Sequence, residues 1–153
     1  MPRRTPLIGG LVVLAAVATG CAGPVPVTAP TGAPAACAGL RRQLPQIVDG
    51  QLRRRTQPNS PSTDAWGDPA IVLRCGVPRP ASYRQTSELI GINGVDWLPE
   101  PVPGGYRFTT VGRAANVELT VPNAYSPEVD PLVDLSAPIR SALPSEDDLL
   151  GEP

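Results

Sequence analysis

The feature that most constrains this chain is a pair of cysteines, Cys37 and Cys75, each on the apolar side of a predicted element. The apolar run that follows the turn signal Asp68-Pro69 has the β-branched residues and the length of a buried strand. Because side chains alternate along a strand, Cys75 shares the side of Ile71 and Leu73 and points into a core. We therefore expect Cys75 to be structural rather than reactive.

Cys37 begins the segment 37–48, whose apolar residues recur at the spacing of one helix face. Pro45 is expected to kink or break this helix, and Gly50 to end it. Both cysteines thus face a core from separate elements, which predicts a disulfide between residues 38 positions apart. Chain entropy alone gives such a bridge about 4 kcal/mol of stabilisation.

The first twenty residues have the pattern of an export signal, with Arg3 and Arg4 before the apolar run 7–19. That run is shorter than the roughly 20 apolar residues of a membrane-spanning helix. It ends in VATGC, which resembles a bacterial lipobox, where the cysteine is diacylated and becomes the first mature residue. Ordinary cleavage after the A-x-A of 16–18 is the alternative, and both the general and the twin-arginine export routes stay open.

The odd number of cysteines favours the lipobox, because the chain has three. A lipid on Cys21 leaves Cys37 and Cys75 as a clean pair, whereas an unmodified Cys21 leaves a free thiol in an oxidising compartment. We therefore expect fatty-acyl chains such as palmitate on Cys21. They would attach the protein to the extracytoplasmic face of the cell membrane.

Composition divides the chain into four parts. Residues 1–20 are the signal peptide, 21–36 a Pro- and Ala-rich tether, 37–143 a single globular domain and 144–153 an acidic disordered tail. Fully extended, the tether reaches roughly 45 Å. The domain is expected to be α+β, with a mainly antiparallel sheet of about five or six strands packed by an N-terminal and a C-terminal helix and tied by one disulfide.

Two local signals place elements within this domain. Asn93-Gly94 predicts a two-residue hairpin that pairs Ile92 with Val95 and Ile90 with Trp97, followed by a strand pair at 106–111 and 115–121. Asp130-Pro131 predicts a helix start, with the aspartate as the cap. Its core stripe would consist of Leu132, Leu135, Ile139 and Leu143.

The residue inventory excludes several classes of function. The chain has no histidine, which removes Ser-His-Asp triads and most zinc sites. No glycine-rich phosphate motif occurs. Without residues 1–20 the chain has 11 basic and 14 acidic side chains, a balance that argues against nucleic-acid binding. We expect no metal, no cofactor and no enzymatic activity.

The charged residues leave alternatives open. Arg74, Arg79 and Asp68 around the central strand could contact an anionic ligand, but a structural Asp68–Arg74 pair is favoured. The run 53–55, three arginines, could bind anionic headgroups or wall polymers, but a solvated face is favoured. Candidates for a glycosidase-like carboxylate pair are Asp96, Glu100 and Glu118.

The stretches WGDPAIVLRCG at 66–76 and NGVDW at 93–97, behind a lipobox-like signal, resemble domain of unknown function 3515, an uncharacterised actinobacterial family of exported proteins. The similarity covers roughly 37–143. It implies a cell-envelope address and no activity or site residues. We therefore expect a non-catalytic, lipid-anchored protein that contacts an envelope protein or cell-wall polymer. The alternatives are a small-molecule or glycan-binding lipoprotein and a carboxylate-dependent hydrolase.

Overall fold

A disulfide joins Cys37 and Cys75 in the computed structural model, which describes residues 23–150. The two sulfur atoms lie 2.04 Å apart and the two Cα atoms 5.6 Å apart. The bridge predicted from the sequence is therefore present. The predicted signal peptide and the lipidated Cys21 lie outside the described residues.

Most of the strands form one antiparallel sheet. The strands are β1 Val25–Pro26, β2 Ile47–Val48, β3 Gln51–Arg54, β4 Thr56–Gln57, β5 Thr63–Trp66, β6 Ile71–Val77, β7 Ile90–Ile92, β8 Val95–Val102, β9 Gly105–Val111 and β10 Asn116–Pro122. The helices are α1 Ala35–Gln43, α2 Asp130–Ala142 and the short α3 Glu146–Leu150, with a 3-10 turn at Asn123–Tyr125. Eight strands follow the order β2-β3-β5-β6-β10-β9-β8-β7, and β1 pairs with β4 in parallel.

The sheet has two different faces, which the alternation along β6 defines. Ile71, Leu73 and Cys75 are buried on the side covered by α1 and α2, here called the helix face. Val72 and Arg74 point to the other side, here called the open face. The α+β architecture with a helix from each end of the chain is therefore confirmed, and the main core is an apolar layer between helices and sheet.

Two local predictions hold in detail. The hairpin β7–β8 turns at Asn93-Gly94 and pairs Ile90 with Trp97 and Ile92 with Val95. Both turn residues have positive φ, at 48° and 77°, as a two-residue primed turn requires. All four residues of the predicted stripe are buried, three of them in α2 and Leu143 at its C-cap. The cap is wrong, however: Val129 is the N-cap, and Asp130 is the first helical residue.

The prediction of five or six strands is wrong, partly because 47–54 forms a hairpin instead of continuing α1. Leu44 is already extended before Pro45, and the helix ends at Gln43. Asp49-Gly50 then turns with φ of 48° and 70°, so that β2 and β3 pair around it. Leu44 and Val48 are buried all the same. Their helix-like spacing therefore arises from a helix end and a strand that share one core.

β5 is another strand that the residue pattern of the sequence did not indicate. It lies between β3 and β6 and is buried at all four positions, although Thr63 and Asp64 are polar. The hydroxyls of Thr56 and Thr63 are 3.0 Å apart, and Asp64 binds arginines. Polar side chains can be buried in a strand when they have hydrogen-bond partners. They do not produce the alternation of apolar and polar residues by which a strand is recognised in a sequence.

The predicted tether differs most from the structure. Val25 and Val27 are buried against Ala65 on the open face, and Val25 N donates to Arg55 O at 2.8 Å. The segment therefore packs along the sheet from Val25 onwards instead of extending 45 Å into solvent. Apolar valines between prolines account for this packing.

The beginning of the predicted disordered tail also has structure. Glu146 N donates to Gly112 O at 3.0 Å, and α3 follows over Glu146–Leu150. Ser145 forms a β-bridge with Arg113. Within residues 23–150 no helix is long and apolar enough to cross a membrane.

Candidate functional site

A cleft of about 560 Å³ lies on the open face, between the sheet and the loop that follows β6. We call it the arginine–glutamate cleft. Its charged and polar lining residues are Arg74, Arg79, Ser82, Glu100, Arg107 and Glu118. Val77 and several small or cyclic side chains of the loop, among them Pro78 and Pro80, supply its apolar wall.

Strand register brings these side chains together. Arg74 on β6 lies directly opposite Glu118 on β10, and Arg107 on β9 lies directly opposite Glu100 on β8. Directly opposed residues of antiparallel strands project on the same face, with Cβ atoms about 5 Å apart. Four strands thus contribute one charged side chain each, in two pairs of opposite sign.

Each glutamate of the cleft is bound by an arginine. Arg74 Nη1 donates to Glu118 Oε1 at 3.0 Å, and Arg107 lies 3.2 Å from Glu100 Oε2. The predicted Asp68–Arg74 pair is wrong. Asp68 is 75% exposed and lies 3.6 Å from Arg54, because the β6–β10 register gives Arg74 a glutamate across the strands.

Arg79 reaches the edge of the cleft from the loop. Its guanidinium lies 5.4 Å from the centre of the Tyr83 ring and 3.5 Å from Glu146 of α3. Of the three residues predicted to contact a ligand, the structure therefore brings Arg74 and Arg79 into one cleft and leaves Asp68 outside it.

The electrostatics of Glu100 are those of a fixed anion. A hydrogen bond from Ser82 at 2.6 Å, followed by the contacts with Arg107, lowers the pKa of Glu100 despite some burial. A catalytic acid in a glycosidase needs the opposite shift. Glu100 and Glu118 do share the cleft, but Asp96 lies in a separate shallow depression beside Gly94 and Arg140.

Two buried polar atoms, one on a residue that lines the cleft and one on a strand beside it, have unused hydrogen-bonding capacity. Arg74 Nε and the Thr109 hydroxyl are buried and have no partner among the described residues. Thr109 lies on the strand next to Glu118 and is paired with it in register. Buried polar atoms usually have partners, so such an arrangement is suited to a bound polar group or water.

The described part of the chain contains no cluster of metal-ligating side chains. No group of three or more histidine, cysteine or acidic side chains is placed to hold an ion between residues 23 and 150.

Comparison with known proteins gives a family and no activity. The model of a family described as "Protein of unknown function (DUF3515)" matches residues 5–147. The chain belongs to this family. No curated protein and no solved structure matches the DUF3515 chain.

Sequence reasoning did not find Arg107 or Ser82 as members of the cleft. Arg107 lies in a strand next to the buried Phe108 and is itself only partly buried, which is an ordinary place for a charge. Ser82 lies in the loop between β6 and β7, whose path no local pattern specifies. The alternation along β9 and β10 could have placed Arg107 and Glu118 on one face, but not beside Arg74.

Proposed function

We propose that this protein is a non-catalytic lipoprotein, anchored through Cys21 on the extracytoplasmic face of the cell membrane. It would act by binding an envelope protein or wall component in the arginine–glutamate cleft. The exclusive use of arginine among 13 basic residues fits a GC-rich, actinobacterial origin. The observation that carries the proposal is the cleft itself, with its two opposed arginine–glutamate pairs, whose arginines are partly exposed.

Binding rather than catalysis is favoured by how the carboxylates are held. Glu118 and Glu100 are committed to Arg74 and Arg107, and the pKa of Glu100 is lowered. A general acid or base needs a proton affinity tuned close to the working pH. Mixed charges arranged in fixed pairs are instead suited to a partner that presents complementary charges, which sets specificity and orientation.

Site-specific photo-crosslinking in living cells tests this proposal. The full chain would carry a photoreactive residue in place of Ala81, which lines the cleft, or in place of Val133 on α2 as the matched control. We expect an envelope adduct from position 81 that is absent at 133 and is lost when Arg107→Glu reverses one charge of the cleft. The adduct would be identified by mass spectrometry after wall digestion.

Two results would refute separate parts of the proposal. Recovery of the full chain in the soluble fraction would refute the anchor at Cys21. Membrane fractionation with no adduct at position 81 above the Val133 control would refute contact through the cleft.

A small-molecule or glycan ligand is the second candidate. It is favoured by the volume of the cleft, which lies within the range of ligand sites, and by the unpartnered Nε of Arg74, a residue that lines the cleft. A ligand at 100 times its dissociation constant adds about 2.7 kcal/mol to the free energy of unfolding. A panel of wall-derived sugars and peptides should then raise Tm for the natural chain but not for Arg74→Ala. No shift with any member would refute this candidate.

A further inference from the structure

We propose that the β2–β3 hairpin lies on the lipid bilayer and holds the domain in one orientation, with Ile47 and Leu52 inserted among the headgroups. This inference rests on the proposed lipid anchor at Cys21 and goes beyond it by naming the surface that the membrane contacts.

Gly23 is fixed to the sheet beside β3. Arg54 Nη2 donates to Gly23 O at 2.7 Å, and Val25 N donates to Arg55 O at 2.8 Å. Cys21 precedes Gly23 by two residues, so their Cα atoms lie at most about 7 Å apart. An acylated Cys21 is therefore confined to the neighbourhood of Arg54.

The short link between Cys21 and Gly23 leaves little room between domain and membrane. The headgroup layer on each side of a bilayer is roughly 5–7 Å thick, which is about the length of this link. Once the acyl chains are in the hydrocarbon core, Gly23 must therefore lie at or within the headgroups. Whatever surrounds Gly23 on the domain then contacts lipid as well.

The surface around Gly23 has the chemistry of a membrane interface. Leu52 is two residues before Arg54 on β3, and Ile47 lies directly opposite Leu52 on β2, so their side chains share the open face. Leu52 is 69% exposed and Ile47 is 53% exposed. An adjacent pair of exposed aliphatic side chains at a sheet edge indicates a contact surface. The short link to Cys21 brings the bilayer to this edge.

The charges at this edge are mixed, because the turn of the hairpin carries Asp49, whose backbone N–H donates to Asp134 at 2.8 Å, while arginines lie nearer Gly23. Arg55 is exposed and follows Arg54 along the chain. Asp68 lies 3.6 Å from Arg54 and opposes it in part. Basic residues at a membrane surface attract anionic lipids, and paired aliphatic side chains below them enter the interface.

This orientation lifts the arginine–glutamate cleft away from the lipid. β9, which carries Arg107, is four strands from β3 in the sheet. Neighbouring strands are about 4.8 Å apart, so Arg107 would stand roughly 19 Å from β3, and Arg74 on β6, which is two strands from β3, roughly 10 Å from it. A partner in the cell envelope could then reach the cleft without entering the headgroups.

Fluorescence quenching by brominated lipid tests the orientation. The full acylated chain would be reconstituted in vesicles of phosphatidylglycerol and phosphatidylcholine brominated near the headgroup end of its acyl chains. A tryptophan would replace Leu52, Ile47 or, as the matched control, Val133, which is 49% exposed on α2. Trp66 and Trp97 are fully buried and give the same background in every variant.

We expect the added fluorescence of Leu52→Trp and Ile47→Trp to fall by roughly half or more in brominated vesicles, with no loss for Val133→Trp. Equal quenching at all three positions would overturn the inference, because the domain would then have no fixed orientation. An unquenched Leu52→Trp in protein that floats with the vesicles would also overturn the inference. So would a Leu52→Trp side chain that is shielded from the lipid because a cross-linked dimer covers it. Thermal melts check that each variant is folded.

The design separates this inference from the anchor itself. If the natural acylated preparation does not float with the vesicles, the anchor proposal fails and the orientation fails with it. If the protein floats but only Val133→Trp is quenched, the anchor stands and the β2–β3 hairpin is refuted as the contact.

Discussion

Replacing Asp64 by asparagine removes the negative charge that connects α1, β3 and β5. The Asp64 side chain is only 3% exposed. It accepts two hydrogen bonds from Arg53, one of them at 2.6 Å from Nε and the other from Nη2, and a third from Arg41 Nε at 3.3 Å. Arg53 also donates to the carbonyls of Arg41 and Leu44 at the end of α1.

The size of the effect follows from burial. Breaking a buried ion pair by removing one partner costs about 3–5 kcal/mol, because the other charge stays behind. Arg41 is one-third exposed and Arg53 less so, which lets water compensate in part. We therefore expect Asp64→Asn to lower the free energy of unfolding by about 3 kcal/mol, at the lower end of that range.

Urea unfolding of the disulfide-bonded protein measures this loss, which corresponds to a midpoint lower by about 1–3 M. Asp68→Asn is the matched control. Asp68 is exposed and 3.6 Å from Arg54, so its removal should change stability by less than about 1 kcal/mol. If Asp64→Asn costs no more than Asp68→Asn, the reasoning that makes Asp64 a buried connector is refuted.

Three further predictions concern stability. Cys75→Ser opens the 38-residue loop and should cost about 4 kcal/mol in urea unfolding, with no added effect of a reductant on the variant; an unchanged midpoint would contradict it. The pKa of Asp49 is raised above its ordinary 3.8 by partial burial, then by the charges of Asp130 and Asp134. The protonated Asp49 carboxyl therefore stabilises the fold in full below pH 3.8, and this contribution is lost as the pH rises through the raised pKa. Asp49→Asn should accordingly raise Tm at neutral pH by roughly 1–3 °C, and a gain that persists at about pH 3 would argue against the charge explanation. Gly39→Ala, where a Cβ meets nothing closer than Arg42 Nη2 at 3.9 Å, should add roughly 0.5–1 kcal/mol, whereas Gly105→Ala places a Cβ 2.1 Å from Val121 O and should destabilise; thermal melts that rank the two the other way round would refute the packing argument.

Local patterns predicted local structure well. The alternation of β6 placed Ile71, Leu73 and Cys75 on the buried side, and Asn93-Gly94 set the register of a hairpin. In each case neighbours in sequence decide the conformation, through side-chain period and turn chemistry.

Non-local pairing could not be predicted in the same way. The Asp49-Gly50 turn is hard to recognise in the sequence because Leu44 and Val48 continue the helical spacing of α1 across Pro45. The arginine–glutamate cleft depends on β6 lying beside β10, two strands that are far apart in the chain. Hairpin signals specify which neighbours pair, whereas the choice between distant strands depends on the packing of the whole core.

The intact mass of the mature full-length protein under non-reducing conditions tests the central claim most directly. We predict a chain that begins at Cys21, carries the mass of its acyl groups and lacks the two hydrogens of a Cys37–Cys75 bridge. A chain cleaved after Ala18 with an unmodified Cys21, or one with Cys37 and Cys75 reduced, would contradict the account.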